Sequence, residues 1–206
     1  VGQLNLRWTF EADAPIQNCP AVVGNTLYFG SWDGHYYAIS ANTGQLKWKS
    51  DLLLSPLESG FYEIRSSPAH SDGRIYFGTG SAKVHCLNAE TGEELWQTLL
   101  DAEPLNDAQI TCSPIVDQDM VFVGTSSGNS QIACLDAETG KVRWKFFVVP
   151  SSKIAGGAVW TAPAIDEEHG ILYNVTGSVK GFQPAGPMLY TESVLAHDLY
   201  TGELLW

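Results

Sequence analysis

Histidine and cysteine are the side chains of this sequence best able to act as bases, nucleophiles or metal ligands, and their spacing supports none of these roles. The five histidines are scattered, without the i, i+4 spacing of a zinc protease. The four cysteines show no C-x-x-C spacing, and no G-x-S-x-G, phosphate-binding loop or dinucleotide fingerprint occurs. The sequence therefore gives no support to a hydrolase.

An internal repeat determines the elements that position all other candidate residues. Four times a Thr-Gly pair is followed, with three residues between, by a tryptophan: Thr43-Gly44 and Trp48, Thr91-Gly92 and Trp96, Thr139-Gly140 and Trp144, Thr201-Gly202 and Trp206. Each pair is preceded by a proline and two short β-rich runs, and the prolines are Pro20, Pro68, Pro114 and Pro163. A fixed period of this size indicates a stacked or circular array.

The runs are rich in valine, isoleucine, tyrosine, phenylalanine and leucine, and glycine and short polar residues separate them at hairpin distances. Four antiparallel strands per unit, repeated radially, predict an all-β fold of the β-propeller type. We predict a single partial propeller domain over residues 1–206, with about four four-stranded blades in units of approximately 9–48, 49–96, 97–144 and 145–206.

The repeated residue types suit particular structural roles. A Thr-Gly turn allows glycine a positive φ, and a short polar side chain can bind the local backbone. The tryptophans at 48, 96, 144 and 206 are predicted to cover the joins between neighbouring blades. Trp8 ends a similar run, and we interpret it as part of the closing strand of a preceding blade.

Composition and charge exclude some partners. Lys and Arg total 11 against 23 Asp and Glu, a net charge of −12, which argues against a nucleic-acid partner. No run approaches the roughly 20 apolar residues of a membrane span. Cys19 and Cys112 share one repeat position and Cys86 and Cys134 another, so they lie on different blades and we expect no disulfide.

The sequence begins inside a strand pattern and ends on Trp206, so we expect a partial ring or a fragment of a larger propeller. Such a piece leaves two sheet edges that folded proteins normally cover. Missing blades of the same chain, or self-association of two half-rings, would cover them.

The turn-plus-tryptophan signature resembles the repeat of quinoprotein alcohol dehydrogenases and of related non-enzymatic propellers. Four segments are similar to polyvinyl-alcohol-dehydrogenase-type members, namely residues 1–48, IRSSPA at 64–69, residues 99–116 and GGAVWTAPAID at 156–166. The resemblance implies an eight-bladed propeller that holds pyrroloquinoline quinone in a central funnel, beside a calcium or lanthanide ion. In that family an alcohol is oxidised by hydride transfer to the quinone.

The resemblance also assigns cofactor-binding residues. It places Trp160 at the tryptophan floor beneath the quinone and Arg65 opposite the quinone oxygens. It places Thr111 at a cofactor carboxylate and Ser126 in a loop that lines the same pocket. An arginine and a hydroxyl suit an anionic tricarboxylate. Ordinary alternatives stay open: core packing for Trp160, an exposed strand-end charge for Arg65, and backbone-capping hydroxyls for the other two.

The chain departs from the family at the metal. Asn129 stands where a metal-binding glutamate is expected, and Ser178 stands where an asparagine ligand is expected. A hard cation prefers charged oxygen ligands, so these candidate ligands predict weakened metal binding. The family's catalytic aspartate is expected beyond Trp206, and we assign no catalytic residue within the chain.

Two hypotheses follow from these residues. In the first, the chain is part of a quinone-dependent dehydrogenase that acts on a small-molecule alcohol, in the periplasm or secreted, and is inactive in isolation. In the second, it is a non-catalytic binding or assembly scaffold with a protein partner and no cofactor. The segment around Trp160 favours the first hypothesis, and Asn129 and Ser178 favour the second.

Overall fold

The computed structural model describes residues 4–52, 64–100, 108–126, 130–149, 156–178 and 189–206. Regular secondary structure in these segments consists of β-strands, which form four antiparallel sheets in chain order. The strands of the first two sheets are β1 Ala21–Val23, β2 Thr26–Gly30, β3 Tyr36–Ser40, β4 Leu46–Lys49, β5 Ala69–Ser71, β6 Arg74–Gly78, β7 Lys83–Asn88 and β8 Glu94–Leu99. The strands of the last two sheets are β9 Ile115–Asp117, β10 Met120–Gly124, β11 Gln131–Asp136, β12 Val142–Phe147, β13 Ala164–Asp166, β14 Ile171–Val175 and β15 Val194–Asp198.

Each sheet is a meander whose strands pair in sequence order. The first three sheets have four strands, as the repeat predicts. The fourth sheet contains β13, β14 and β15, and residues 203–206 run alongside β15, with the Ala196 amide donating to the Trp206 carbonyl at 2.9 Å. β8 continues past Trp96 to Leu99, and β12 continues past Trp144 to Phe147.

The Thr-Gly turns close the last hairpin of every sheet. In blade 3 the Gly140 amide donates to the Asp136 carbonyl at 2.8 Å, and the Asp136 carboxylate accepts the Thr139 amide at 2.8 Å. Gly140 has φ +70°, which glycine adopts without strain. Blade 4 repeats the arrangement through Gly202 and Asp198. The predicted role of the turn residues is confirmed.

Three of the four predicted tryptophans anchor one blade to the next. The indole nitrogens of Trp48, Trp96 and Trp144 donate to backbone carbonyls of the following blade, at Ala89, Ala137 and Leu199, over 3.0–3.2 Å. Each ring packs against the glycine of the Thr-Gly turn in the following blade. Trp8 makes the same contacts with Ala41 and Gly44.

Trp206 differs from the predicted inter-blade role, because no later turn lies within this chain. It is 64% exposed, and its ring lies 6.0 Å from that of Tyr173.

The hydrophobic core lies in the seams between adjacent sheets. Between blades 1 and 2 the rings of Tyr36 and Phe77 stack at 4.1 Å, with Ile75 and Leu87 fully buried around them. The later seams are filled by Val121, Val123, Ala133 and Leu135 of blade 3 against blade 2, and by Leu172, Leu195 and Leu199 of blade 4 against blade 3.

The first strands of neighbouring sheets lie beside one another, β1 next to β5 and β5 next to β9. Sheets that meet at their first strands and pack face to face form consecutive blades around a common axis. The predicted all-β fold, part of a β-propeller, is confirmed. In the described segments, no helix is long and apolar enough to cross a membrane. The four cysteines carry free thiols, of which only Cys19 is exposed.

Candidate functional site

Four short segments lead into the first strands of the four blades and share one pattern. We call these the lead-in segments, and they are residues 16–20, 64–68, 110–114 and 159–163. Each starts with isoleucine or valine and has its proline at the fifth position. The pattern allows the same position to be compared across all four blades.

The first lead-in position is a packing position. Ile64, Ile110 and Val159 each lie on the glycine that ends the second strand of the preceding blade. A Cβ added at Gly78 would overlap the side chain of Ile110, so the close approach requires glycine there. This position therefore fixes the spacing between blades.

The third lead-in position is a hydrogen-bonding position. Ser66 Oγ accepts the amide of Gly78 at 3.1 Å, and Asn18 Oδ1 accepts the amide of Gly30 at 3.3 Å. In blade 3 the position is Cys112, whose burial raises the pKa of its thiol to about 12. Asn18 and Ser66 thus attach the lead-in segments of blades 1 and 2 to the second strands of those blades.

Hydrogen bonds also join the segments to one another in a row. The Cys19 amide donates to Ser67 Oγ and the Ser67 amide donates to Ser113 Oγ, both at 3.0 Å. Cys112 Sγ donates to the Thr161 carbonyl at 3.0 Å. The four lead-in segments are therefore neighbours at one end of the propeller axis.

The second lead-in position carries a different chemistry in every blade: Gln17, Arg65, Thr111 and Trp160. Three of these four residues were assigned to a cofactor from the sequence. The first lead-in position, by contrast, is aliphatic in all four blades. The row of unlike side chains is therefore the candidate functional site.

Thr111 and Ser126 meet in blade 3. Their hydroxyl oxygens lie 3.3 Å apart, and either can donate. A pair of backbone hydrogen bonds between Gln109 and Ser126, both 2.8 Å, holds the two segments together. Two hydroxyls are thus held together at the site.

The Trp160 side chain packs against the segment that follows β14. Its indole nitrogen faces Gly177, where a Cβ would come within 2.6 Å of that nitrogen. The Gly177 amide donates to the Ala158 carbonyl at 2.9 Å, which fixes the contact between the two segments. Trp160 is nevertheless 53% exposed, so much of its surface remains available.

Arg65 contacts an aromatic residue that the resemblance does not assign to the site. The guanidinium carbon of Arg65 lies 5.0 Å from the ring centroid of Trp32, a cation–π contact between blades 2 and 1. Trp32 follows Gly30 by two residues, as Ser126 follows Gly124 in blade 3. Aligning the repeats at these glycines would have identified Trp32 as the equivalent of Ser126.

The metal prediction rests on two residues that the structure treats differently. Asn129 lies outside the described residues. Ser178 is exposed, and its backbone carbonyl accepts the Gly157 amide at 3.0 Å. Within the described segments no group of three or more His, Cys, Asp or Glu side chains could hold a metal ion. Metal ligation by Asn129 or Ser178 therefore stays a prediction.

Comparison with known protein families identifies the fold family. A family described as outer membrane protein assembly factor BamB matches residues 5–206. The chain belongs to this family. No curated protein matches the chain.

Solved structures similar to this member of the BamB family include both enzymes and an assembly factor. Quinohemoprotein alcohol dehydrogenase ADHIIG from Pseudomonas putida HK5 is 24% identical, with 96% of this chain and 34% of that chain covered and a TM-score of 0.82. A europium-containing methanol dehydrogenase is 21% identical, with 98% of this chain and 43% of that chain covered and a TM-score of 0.84. BamB from Moraxella catarrhalis is 20% identical, with 97% of this chain and 66% of that chain covered and a TM-score of 0.64. At these identities the likeness shows the fold alone. The chain spans 34–43% of the length of the two dehydrogenases.

The side chains at the site of this BamB family member favour binding over proton transfer. An exposed indole can stack on a flat ring, a guanidinium can pair with a carboxylate, and two hydroxyls can donate to further oxygens. Of the four residues at the second lead-in position, only Arg65 is charged. The row therefore suits a flat, anionic ligand.

Proposed function

We propose that this chain is part of a quinone-dependent alcohol dehydrogenase-like propeller and holds pyrroloquinoline quinone at the row of lead-in segments. The observation that carries the proposal is the second lead-in position. Its four side chains differ in chemistry, whereas the first position is isoleucine or valine in every blade. Hydrogen bonds place the four segments side by side at one end of the axis.

The residues present fit that cofactor by their chemistry. Trp160 offers the exposed ring on which a flat quinone would lie, and Arg65 would face the quinone oxygens. Thr111 and Ser126 would donate to oxygens on the same ligand. The bound quinone would supply hydride acceptance, while this chain would bind and orient it. Calcium or a lanthanide would accompany it, with Asn129 and Ser178 as the candidate ligands.

The finer assignments belong to the same proposal. We retain the polyvinyl-alcohol-dehydrogenase-type resemblance, a small-molecule alcohol as substrate, and a periplasmic or secreted location. The catalytic base would come from blades outside residues 1–206, so the isolated chain would be inactive. One partial domain with units near 9–48, 49–96, 97–144 and 145–206 remains the proposed organisation.

A second candidate is a protein-binding scaffold without cofactor. The family description, an outer membrane protein assembly factor, favours it, as do Asn129 in place of the expected glutamate and Ser178 in place of the expected asparagine. A scaffold would use the blade surfaces and leave the row at the axis without a ligand. Quinone binding therefore distinguishes the two functions.

The test is a titration of the full-length protein that contains this chain with pyrroloquinoline quinone, followed by tryptophan fluorescence. Calcium chloride, lanthanum chloride or EDTA would be included in parallel titrations. Saturable, metal-dependent quenching supports the dehydrogenase proposal. No quenching by the full-length protein under any of these conditions contradicts it and favours the scaffold.

Variants locate the binding site within this chain. Trp160→Ala is expected to abolish the quenching with little loss of folding, because the Trp160 ring is half-exposed and the backbone hydrogen bond between Gly177 and Ala158 remains. Trp206→Phe is the matched control, since that ring is also exposed but lies outside the lead-in row. Unchanged quinone affinity in Trp160→Ala would place the cofactor elsewhere.

A further inference from the structure

The lead-in segments of neighbouring blades are joined differently at the last step of the row. From blade 1 to blade 2, and from blade 2 to blade 3, the amide at the fourth lead-in position donates to a serine hydroxyl at the fourth position of the next segment, Ser67 or Ser113. Blade 4 has Ala162 at this position, which carries no hydroxyl. A joint of this kind therefore cannot form between blades 3 and 4.

The thiol of Cys112 joins the segments of blades 3 and 4. Its sulfur lies 3.0 Å from the Thr161 carbonyl and 3.4 Å from the Ser113 carbonyl of its own segment. A thiol has one proton to donate, and the shorter distance assigns that proton to Thr161. In blade 1 the same lead-in position also reaches the next segment, where Asn18 Nδ2 donates to the Ile64 carbonyl at 3.0 Å.

The environment of Cys112 keeps its thiol in the form that donates. The residue is fully buried, and burial raises the pKa of its thiol to about 12. The sulfur therefore keeps its proton throughout the neutral pH range. Burial also keeps water away from the sulfur, so water does not compete with the Thr161 carbonyl for the proton.

Trp160 is the residue that this joint positions. The amide of Val159, directly before it, donates to the Thr125 carbonyl of blade 3 at 3.0 Å. The carbonyl of Thr161, directly after it, accepts the Cys112 thiol. The backbone of Trp160 is thus anchored to blade 3 on both sides. Loss of one anchor would allow its half-exposed ring more orientations.

We propose that Cys112 is a positioning residue whose thiol fixes the Thr161 carbonyl and thereby the orientation of the Trp160 ring that a flat, anionic ligand would contact. The proposal rests on the proposed function and deepens it, since it names a residue on which the stacking contact depends. Cys112 acts through Trp160 and is too deeply buried to touch the ligand. The net strength of one hydrogen bond corresponds to an effect on the dissociation constant of about 2- to 10-fold.

Two variants of Cys112 in the full-length protein test the role of the donor. Cys112→Ala removes it, and Cys112→Ser replaces it with the hydroxyl that blade 2 carries at Ser66. The dissociation constant for pyrroloquinoline quinone is expected to rise about 2- to 10-fold in Cys112→Ala and to recover in part in Cys112→Ser. Wild-type affinity in Cys112→Ala would overturn the proposal.

Cys134→Ala is the matched control for the loss of a buried thiol. Cys134 is also a fully buried free cysteine of blade 3, but it lies in β11, in the core between blades 3 and 4. Both alanine variants should lower the melting temperature, and only Cys112→Ala should weaken quinone binding. An equal loss of affinity in Cys134→Ala would overturn the proposal, because a general loosening of the blade would then explain both.

Thr111 precedes Cys112 directly, so an effect transmitted through Thr111 must be separated from one transmitted through Trp160. The loss caused by Cys112→Ala is expected to persist in a Thr111→Val background, because the proposed route runs through blade 4. Disappearance of the loss in that background would show that Cys112 acts through Thr111 and would overturn the proposal.

A measurement on the Trp160 ring itself needs no ligand. In protein labelled with 5-fluorotryptophan, the fluorine resonance of Trp160 is assigned by its loss in Trp160→Phe. Cys112→Ala is expected to shift or broaden this resonance and to leave that of Trp206 in place. A Trp160 resonance unchanged by Cys112→Ala would overturn the positioning role.

The outcomes distinguish this inference from the function on which it rests. If the wild type binds no quinone, the proposed function fails and the ligand role of Cys112 fails with it, while the fluorine spectrum still shows whether the thiol orients the ring. If the wild type binds quinone and Cys112→Ala binds it equally well, only the positioning role of Cys112 fails.

Discussion

Trp96 shows how one side chain fastens two blades together. Its ring lies on Gly140 and its nitrogen donates to the Ala137 carbonyl at 3.1 Å, so both its apolar and its polar parts are engaged. Tyr76 donates to the same carbonyl at 3.2 Å. Two donors from blade 2 thus end on one acceptor of blade 3.

Trp96→Ala is predicted to lower the free energy of unfolding by about 3–5 kcal/mol, because it leaves a cavity in the seam and removes a hydrogen bond. Chemical denaturation measures the change. Trp206→Ala is the control, since the exposed Trp206 anchors no other blade of this chain. Equal losses for both variants would mean that the anchoring contact contributes little.

The glycine on the other side of this contact can be tested separately. Gly140→Ala would strain a residue at φ +70° and bring a Cβ within 2.5 Å of the Trp96 ring. Gly73→Ala carries the same backbone strain at φ +71° but meets nothing within 4 Å. Both should lose about 1–2 kcal/mol from strain, with a further 1–3 kcal/mol for Gly140→Ala alone. Thermal unfolding of the pair tests whether the difference exists.

For individual residues, structural roles could be predicted from the sequence where a residue recurs in every repeat, and less well where it does not. Thr-Gly turns and tryptophans follow from a pattern seen four times, so their roles could be read before the structure. The contact of Trp32 with Arg65 could not, because the two residues belong to different blades. Contacts between side chains of different blades leave no local signal in the sequence.

The fourth sheet departs from the others in the face it turns toward blade 3. Asn174 and His197 are buried there, at positions where blade 3 has Val123 and Leu135. Both amide atoms of Asn174 and both ring nitrogens of His197 lack a hydrogen-bond partner among the described residues. Buried polar groups without partners weaken an interface. The seam between blades 3 and 4 is therefore expected to be the weakest of the three.

His197→Leu is predicted to raise stability and to remove a pH dependence. Burial lowers the pKa of His197 to about 4, from 6.5. The unfolded chain thus takes up the proton first, so stability is complete above about pH 6.5 and falls as the pH drops toward 4, by at most about 3 kcal/mol. Unfolding measured between pH 7 and pH 4 should show this slope in the wild type and a flatter one in the variant.

Asn174→Val is the matched control for titration. It should raise stability by about 1–3 kcal/mol at every pH, because it removes unpaired polar atoms without removing the histidine. The slope between pH 7 and pH 4 should persist. A flattened slope in Asn174→Val, or a steep one in His197→Leu, would show that another group causes the pH dependence.

The number and order of strands could be predicted because each run of β-forming residues recurs with its own turn. The fourth sheet is less regular than the others. Its repeat unit is longer, and of its last residues, 203–206, only Leu204 forms a β-bridge with β15. The Asn-Val-Thr sequence at 174–176 matches a glycosylation sequon by chance, since Asn174 lies in β14 and is 1% exposed inside a seam. Burial between sheets is a tertiary property that a short motif does not encode.

The whole molecule has apolar residues exposed at both ends of the row of blades. Leu4 and Leu6 are almost fully exposed before the first sheet, and Val175, Val194 and Trp206 are exposed on the last. A groove lined by aromatic and aliphatic side chains, among them Trp8 and Phe29, lies on the first sheet. Either further blades or a second copy would cover these surfaces.

Self-association of the isolated chain is predicted to strengthen with salt. Two copies of net charge −12 repel each other, and the Debye length falls from about 10 Å at 0.1 M to about 3 Å at 1 M. Sedimentation velocity at sodium chloride concentrations from about 0.05 M to about 1 M measures the change in oligomeric state. A monomer at every salt concentration would rule out half-ring association.

The tryptophan anchors all point the same way along the chain, and this direction matters during synthesis. In each of the first three blades the outer-strand tryptophan finds its acceptor carbonyl much later in the chain, 41 residues after Trp48 and Trp96 and 55 residues after Trp144. In a blade leaving the ribosome this indole therefore lacks its anchor until most of the following blade has emerged. The third blade waits longest, so translation pauses after Trp144 should expose its edge most to nascent-chain misfolding and to chaperones.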